Sequence, residues 1–517
     1  MPAGAPELEI KQRSAPKAPA GDEVKFVVSS LHIAGARAFS EADLVAATRF
    51  EPGRELTFSD LRSLAARVAE FYRRNGYFVA QAYLPPQEIK AGTVTIAVIE
   101  GEYGRVDVHN DAGVSQGLVN GVMRGLKSGD TISAGPLEER LLLLSDIPGV
   151  SVKSTLIPGA SVGASDLIIR LTPGARFSGD VDVDNEGNRY TGSNRVGVTG
   201  NLNDPTGRGD LLSVRGLTSG SGLQYGRAAY QIQVDRARIG IAYTSLQYRL
   251  GEEFASLQGH GTASLASVYG SYPLLRSRKS NINVLIDYDA KRFDDQADAA
   301  GTSTRKKAGV WMTSLTGDRR DGFAGGGLDN YSVTWTHGTI NLEGAVASAS
   351  DASTARTNGS YDKLGFAFVR LQRVTEQASV YASIAGQLAS KNLDVSEKMA
   401  LGGATAVRAY PTGEGYCDEG YVLNVEVRRL LRRPWDAAPG QMQVVGFLDT
   451  GTGRLSKHPW VSTQNYRTLS GLGLGIDWAV SGDFDVKVYY AHKLGAAAVL
   501  SAPDMKSRVW FQAAKFF

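Results

Sequence analysis

The sequence predicts an α+β part made of two tandem repeats, followed by an all-β transmembrane barrel of about 16 antiparallel strands. Three observations predict it. A β-α-α-β-β order occurs twice between residues 24 and 174. From about residue 176 helical periodicity stops, and apolar residues recur at every second position in stretches of roughly ten, separated by polar Gly-rich turns. No run of about eighteen apolar residues occurs, so no transmembrane helix is expected, which is compatible with a barrel that spans a bilayer by short alternating strands.

Taken in order, residues 1–23 are rich in Pro, Ala, Lys and Glu and read as a flexible arm. The first repeat covers residues 24–101. Lys25–Ile33 reads as a strand, and Ser40 with Asp43 opens a short helix ending near Phe50. Thr57 with Asp60 opens a second helix, whose stripe is Leu61, Leu64, Ala65, Val68, Phe71 and Tyr72. Gly76 after Asn75 stops it, and strands Phe78–Leu84 and Thr93–Ile99 follow. The second repeat covers residues 102–174, with strand Arg105–His109, helices Val114–Leu126 and Pro136–Leu144, and strands Val152–Ile157 and Asp166–Leu171.

The barrel occupies residues 175–517. Phe177, Gly179, Val181 and Val183 alternate with Ser178, Asp180, Asp182 and Asp184. Ile282, Val284, Ile286 and Tyr288 alternate with Asn281, Asn283, Leu285 and Asp287, and Leu472, Leu474, Ile476 and Trp478 with three glycines and Asp477. A soluble β-sandwich also alternates, but on strands of about five or six residues with an apolar core between its sheets. Here the strands are longer and the second face repeatedly carries Asp, Asn, Gln, Lys and Arg, which suits a wet lumen.

Composition narrows the function. A net charge of +3 on 517 residues, spread along the chain, does not argue for nucleic acid. The one cysteine, Cys417, allows no internal disulfide and no cysteine zinc cluster. The six histidines lack metal spacing. Asp180, Asp182 and Asp184 resemble the start of a calcium loop, but Asn185 and Thr191 stand where its glycine and glutamate belong. Gly471, Gly473 and Gly475 fit a strand, since no helix follows to complete a nucleotide loop. No nucleophile or acid–base constellation occurs, so neither an enzyme nor a cofactor or metal is expected. The opening MPAGAPELEIKQ has no apolar segment, so any secretory signal is expected to have been removed.

The most informative segment is Val407-Arg408-Ala409-Tyr410-Pro411, in a Gly-rich loop at about 390–419 between two strands. Phe447-Leu448-Asp449 ends a later strand. Parity in Gln441–Asp449 puts Gln441, Gln443, Val445, Phe447 and Asp449 on the polar, inward face; Asn424, Glu426 and Arg428 of Tyr421–Arg428 likewise face in. An Arg in a loop and an Asp on a strand wall can hold that loop in place.

On these residues the chain resembles the two-partner secretion transporters of the Omp85 superfamily (TpsB proteins, ShlB/FhaC/HecB-like). The likeness covers nearly all of residues 24–517. It rests on two POTRA-like repeats, the strand count, VRAYP in the place of a VRGY-type loop motif, FLD in the place of an F-x-D motif, and a first hairpin in DNEGNRYTGSNRVGVTGNLNDPTGRGD. The chain also ends in Phe517, a common barrel C-terminal signal. The resemblance implies an outer-membrane protein of a Gram-negative bacterium with periplasmic POTRA domains. These would capture a large unfolded TpsA-like exoprotein, and the barrel would conduct it outward, drawn by folding outside. It further implies a lumenal loop held by an Arg408–Asp449 ion pair acting as a gate, contact with outer-membrane lipid, insertion by the barrel-assembly machinery, and a monomer. An Omp85-type assembly factor that inserts other barrels shares the plan, but two POTRA repeats favour secretion. Three departures stand out: Ala409 where glycine is common, Lys515 where an apolar residue is usual, and an arm of 23 residues, poor in apolar ones, where relatives often carry a plug helix.

Overall fold

The computed structural model describes residues 7–10, 24–431 and 439–517. They form two compact units, Ala3–Gly174 and Ala175–Phe517.

In the first repeat, strand Thr93–Ile99 buries Val94, Ile96 and Val98 against the stripe Leu61, Leu64, Ala65, Val68 and Tyr72 of helix Phe58–Arg74. Thr57 and Asp60 close a reciprocal capping box at that helix's start, and Ser40 caps helix Glu41–Thr48. The expected single strand Lys25–Ile33 is two. Lys25–Val28 pairs antiparallel with Arg54–Thr57, while Ser30–Ala34 pairs parallel with Thr93–Ile99. The cause is parity: the inward residues are Phe26 and Val28, then Leu31 and Ile33, so one continuous strand could not bury both sets. The chain breaks at Ser29, whose N–H donates to the Gly92 carbonyl at 2.7 Å. The expected strand Phe78–Leu84 shortens to Gln81–Tyr83 at the sheet edge. Tyr72 is a core residue, edge-on to Phe39 and Tyr77, and its hydroxyl donates to Glu100 at 2.8 Å. Burial, then that carboxylate, pushes its phenol well above the usual range.

The second repeat forms a four-stranded sheet in the order Glu7–Ile10, Val150–Pro158, Ala164–Pro173, Glu102–Asn110, with helices Gln116–Met123 and Ala134–Ser145. Glu7–Ile10 corrects the reading of the arm as flexible: it adds as a parallel strand beside Lys153–Leu156, where Val150–Pro158 would otherwise be a sheet edge. The rest of the arm lies outside the described residues. Pairing between Glu102–Asn110 and Ala164–Pro173 slips between Tyr103 and Val106, and Asp166 fills the slip. Its carboxylate accepts the Arg105 backbone N–H at 2.8 Å and the Arg105 guanidinium at 3.0 and 3.1 Å. Those contacts, the backbone one first, hold the Asp166 carboxyl below its usual range. Its contribution is therefore complete above the ordinary carboxylate range and is lost as pH falls through the lowered value. Asp166→Ala is expected to destabilise the Ala3–Gly174 unit by about 1–3 kcal/mol at neutral pH, since it strands the Arg105 N–H. Urea unfolding should show that gap narrowing in acid.

The second unit is a closed barrel of sixteen strands, each paired with its sequence neighbour and the last, Ser507–Phe516, with the first, Phe177–Asp184. The end where the chain enters has tight turns, such as 235–236 and 277–279. The opposite end has long loops: 344–358, 390–418, 455–465 and 495–506. Short turns at one rim and long loops at the other are how outer-membrane barrels are built. Alternate residues such as Val196, Val198, Ile239, Ile241, Leu472, Leu474 and Ile476 point out and stay exposed as an apolar belt. Phe517 closes the seam: it exchanges backbone hydrogen bonds with Gly179 at 2.9 and 3.1 Å, and its ring lies over that glycine. Lys515 forms an ion pair with Asp483 in the neighbouring turn.

Candidate functional site in the barrel lumen

The loop at 390–418 joins the eleventh strand, Ala378–Ala389, to the twelfth, Glu419–Leu431. It folds into the lumen as a hairpin, with Met399–Ala400 paired to Tyr416–Cys417. The tip carries Val407–Pro411, and Val407, Ala409 and Tyr410 are buried.

Arg408 is 4% exposed and Asp449, on the thirteenth strand Gln441–Arg454, is 0% exposed. The guanidinium meets the carboxylate as a fork, Nε to Oδ2 at 2.9 Å and Nη2 to Oδ1 at 2.7 Å, while the Arg408 backbone N–H adds a third bond to Oδ2 at 3.0 Å. Nη1 donates to Glu426 of the twelfth strand at 2.8 Å. Glu426 also accepts Arg428, so two cations face two carboxylates. Asn424 ties the loop and the wall together, donating to the Ala406 carbonyl and to Asp449, both at 2.8 Å. The guanidinium lies 3.5 Å over the Phe447 ring, with Tyr489 edge-on to Phe447. Leu448, between these inward residues, points outward and is 51% exposed. The Arg408 carbonyl accepts the Trp510 indole N–H at 2.6 Å.

Sequence reasoning missed the floor beneath the tip. On the fourteenth strand, Tyr466–Val480, a Cβ at Gly471 would lie 2.4 Å from the Ala409 methyl, one at Gly473 2.3 Å from the Phe447 ring, and one at Gly475 1.9 Å from Tyr489. Gly453 of the thirteenth strand leaves room in the same way for the Cys417 sulfur. The signal was present, since glycine alternates with the outward Leu472, Leu474 and Ile476. The φ angles at Ala409 are not in the left-handed region, so alanine fits where glycine was expected. Cys417 is buried, and burial pushes its thiol up to about 12.

Beyond the tip, Thr412 donates to the Glu186 carbonyl at 2.8 Å, and Asn188 donates to the Thr412 carbonyl at 3.1 Å, joining the loop to the first hairpin. Buried Glu414 accepts Arg467 at 2.6 Å and the backbone of Leu500 and Ser501 at 3.0 and 2.8 Å. Asp180 and Asp182 face Arg215, and Asp184 faces Arg195. Those carboxylates are ion-pair partners on the lumen wall.

Residues 26–101 match the POTRA domain, ShlB-type, and residues 163–478 match the family described as haemolysin secretion/activation protein ShlB/FhaC/HecB. Among curated proteins, the heme/hemopexin transporter protein HuxB of Haemophilus influenzae is 28% identical over 451 residues, covering 86% of this chain and 79% of that one. The outer membrane transporter CdiB of Dickeya dadantii is 21% identical over 75% of this chain and 68% of its own. Among solved structures, CdiB from Escherichia coli superposes with a TM-score of 0.74 at 20% identity, over 97% of this chain and 93% of that one. BamA from Haemophilus ducreyi does so at 0.57 and 12%, over 95% and 100%, a likeness of fold alone. The relatives named for an activity are transporters, and the family match spans more than half of the sequence. The chain therefore belongs to the ShlB/FhaC/HecB family and is an outer-membrane transporter of two-partner secretion, serving a secreted exoprotein, with its POTRA part in the periplasm.

Proposed function

We propose that the loop at 390–418 is the gate of this transporter and that Arg408 is its catch. The observation that carries this is the complete burial of Asp449 under a forked Arg408 that reaches it from a loop lying in the lumen. A solvated ion pair contributes about 0–1 kcal/mol and could not hold such a loop. A buried one loses roughly 3–5 kcal/mol when one partner goes. The seated tip is thus held firmly enough for Arg408 to serve as a catch.

The partner is a large TpsA-like exoprotein, captured unfolded. The first repeat offers a cleft of about 650 Å³ lined by Phe26, Val27, Phe58, Leu61, Pro85 and Ile89. Val27 is 56% and Phe58 49% exposed, which is costly for a surface with no client. An extended apolar segment fits there. Phe58→Asp is expected to weaken binding of the exoprotein's N-terminal segment about tenfold, measured by calorimetry, with barrel insertion unchanged. The outward apolar belt contacts outer-membrane lipid, the last strand, Ser507–Phe516, is the segment read by the barrel-assembly machinery, and the closed sixteen-strand wall serves as a monomer without nucleic acid or cofactor. Deleting the gene should remove one exoprotein from the secreted proteome and leave the other outer-membrane barrels at normal levels. General loss of barrels would refute the transport reading.

A further inference from the structure

Besides the contacts of Arg408, Thr412 and Glu414 near its tip, the loop is fastened at its root. Its first limb docks on a different stretch of the barrel wall from Asp449. Leu393 is buried with Ala308, Val310, Ile340, Tyr361 and Ala389, an apolar cluster separate from the one around Val407, Ala409 and Tyr410. Beside it, the short helical turn Val395–Glu397 brings two carboxylates to three lysines. Asp394 accepts Lys306 at 2.8 and 3.1 Å. Glu397, 4% exposed, takes Lys291 and Lys363, each at 2.9 Å, and Lys363 also reaches the Glu397 carbonyl at 3.0 Å. These lysines stand on the seventh, eighth and tenth strands, Ser280–Ala297, Thr302–Asp321 and Gly359–Arg373. The partners of Arg408 stand on the twelfth and thirteenth. Gln387 stitches the two limbs together, donating to the carbonyls of Glu397 and Asp418 at 3.2 and 3.1 Å.

We propose that Asp394 and Glu397, with Lys291, Lys306 and Lys363, form a second latch that holds the root of the loop independently of Arg408. This rests on the gating reading of the same loop. Fastenings on different parts of the wall act in parallel: with either one cut, the other still holds the hairpin, and the contacts of Thr412 and Glu414 add to both. Asp394 and Glu397 are positioning residues here.

Cys417 provides the test, because it is the sole cysteine and packs against Gly453, so its thiol is reached only when the return limb lifts off the thirteenth strand. Maleimide labelling is followed in the full-length protein, with heat-modifiable gel mobility reporting an intact barrel. Arg408→Ala alone, and Asp394→Asn with Glu397→Gln alone, are each expected to raise the labelling rate less than threefold. The three together are expected to raise it more than thirtyfold. Full labelling from Arg408→Ala alone, or no gain from adding the acidic substitutions, would overturn the second latch. A charge swap guards against general loosening. In the Arg408→Ala background, Asp394→Lys should speed labelling and the added Lys306→Asp should slow it again; no recovery counts against the proposal. Export measured in the same cells judges the gate separately: normal export with synergistic labelling would remove the gate and leave the second latch standing.

Discussion

Arg408→Ala is expected to cut export of the partner at least tenfold while the barrel still inserts and keeps its heat-modifiable mobility. The argument is burial. The substitution deletes the fork to Asp449, the bond to Glu426 and the stacking on Phe447, and leaves the fully buried Asp449 without a cation while Glu426 keeps Arg428. Stranding buried charge costs about 3–5 kcal/mol. At about 1.4 kcal/mol per decade, that moves the seated-to-released ratio of the tip by roughly two to three and a half decades. The sixteen-strand hydrogen-bond ladder does not pass through Arg408, so the barrel remains. Arg408→Lys should rescue little, because an ammonium cannot meet both oxygens of Asp449 and Glu426 at once. Secretion assays paired with outer-membrane fractionation decide it. Normal export from Arg408→Ala would refute the gate, and loss of the barrel itself would show a merely structural role.

Gly471→Ala is expected to produce a similar export defect with every charged group intact. Its new methyl would sit 2.4 Å from that of Ala409, a distance carbon atoms do not tolerate, so the tip must lift or the strand must bend. Overpacking of this kind costs about 1–3 kcal/mol, less than the charge deletion, so a roughly fivefold to tenfold loss is expected. The size swap is diagnostic. Gly471→Ala with Ala409→Gly moves the methyl from loop to wall and should recover most of the export. A double variant as poor as the single one would mean that the strand, not the seating of the tip, is what suffers.

Much of the fold was legible because parity is a strong constraint. In strands such as Phe177–Asp184 and Gln441–Arg454, every second residue must suit lipid and every other one a wet interior, so inward and outward could be read from the letters. The same rule, applied more strictly, would have split Lys25–Ile33 at Ser29, where the inward set changes from even to odd numbers. The strand at Glu7–Ile10 was hidden because four residues in a polar stretch carry little pattern, and its partner lies about 145 positions away. In the site, Asp449 and Glu426 could be placed on the inner face, whereas the bond from Trp510 to Arg408 joins residues 102 positions apart and leaves no local trace. The lysines that meet Asp394 and Glu397 come from three strands and were equally invisible. The glycine floor was visible as an alternation but was read only as strand, since its purpose depends on what lies above it.

That floor has a consequence for transport. When the tip departs, Gly471 loses the Ala409 methyl that covers it, while Gly473 and Gly475 stay under the Phe447 and Tyr489 rings of the wall. Departure of the tip therefore opens space at Gly471 alone, and the two aromatic rings remain to line the seat it leaves.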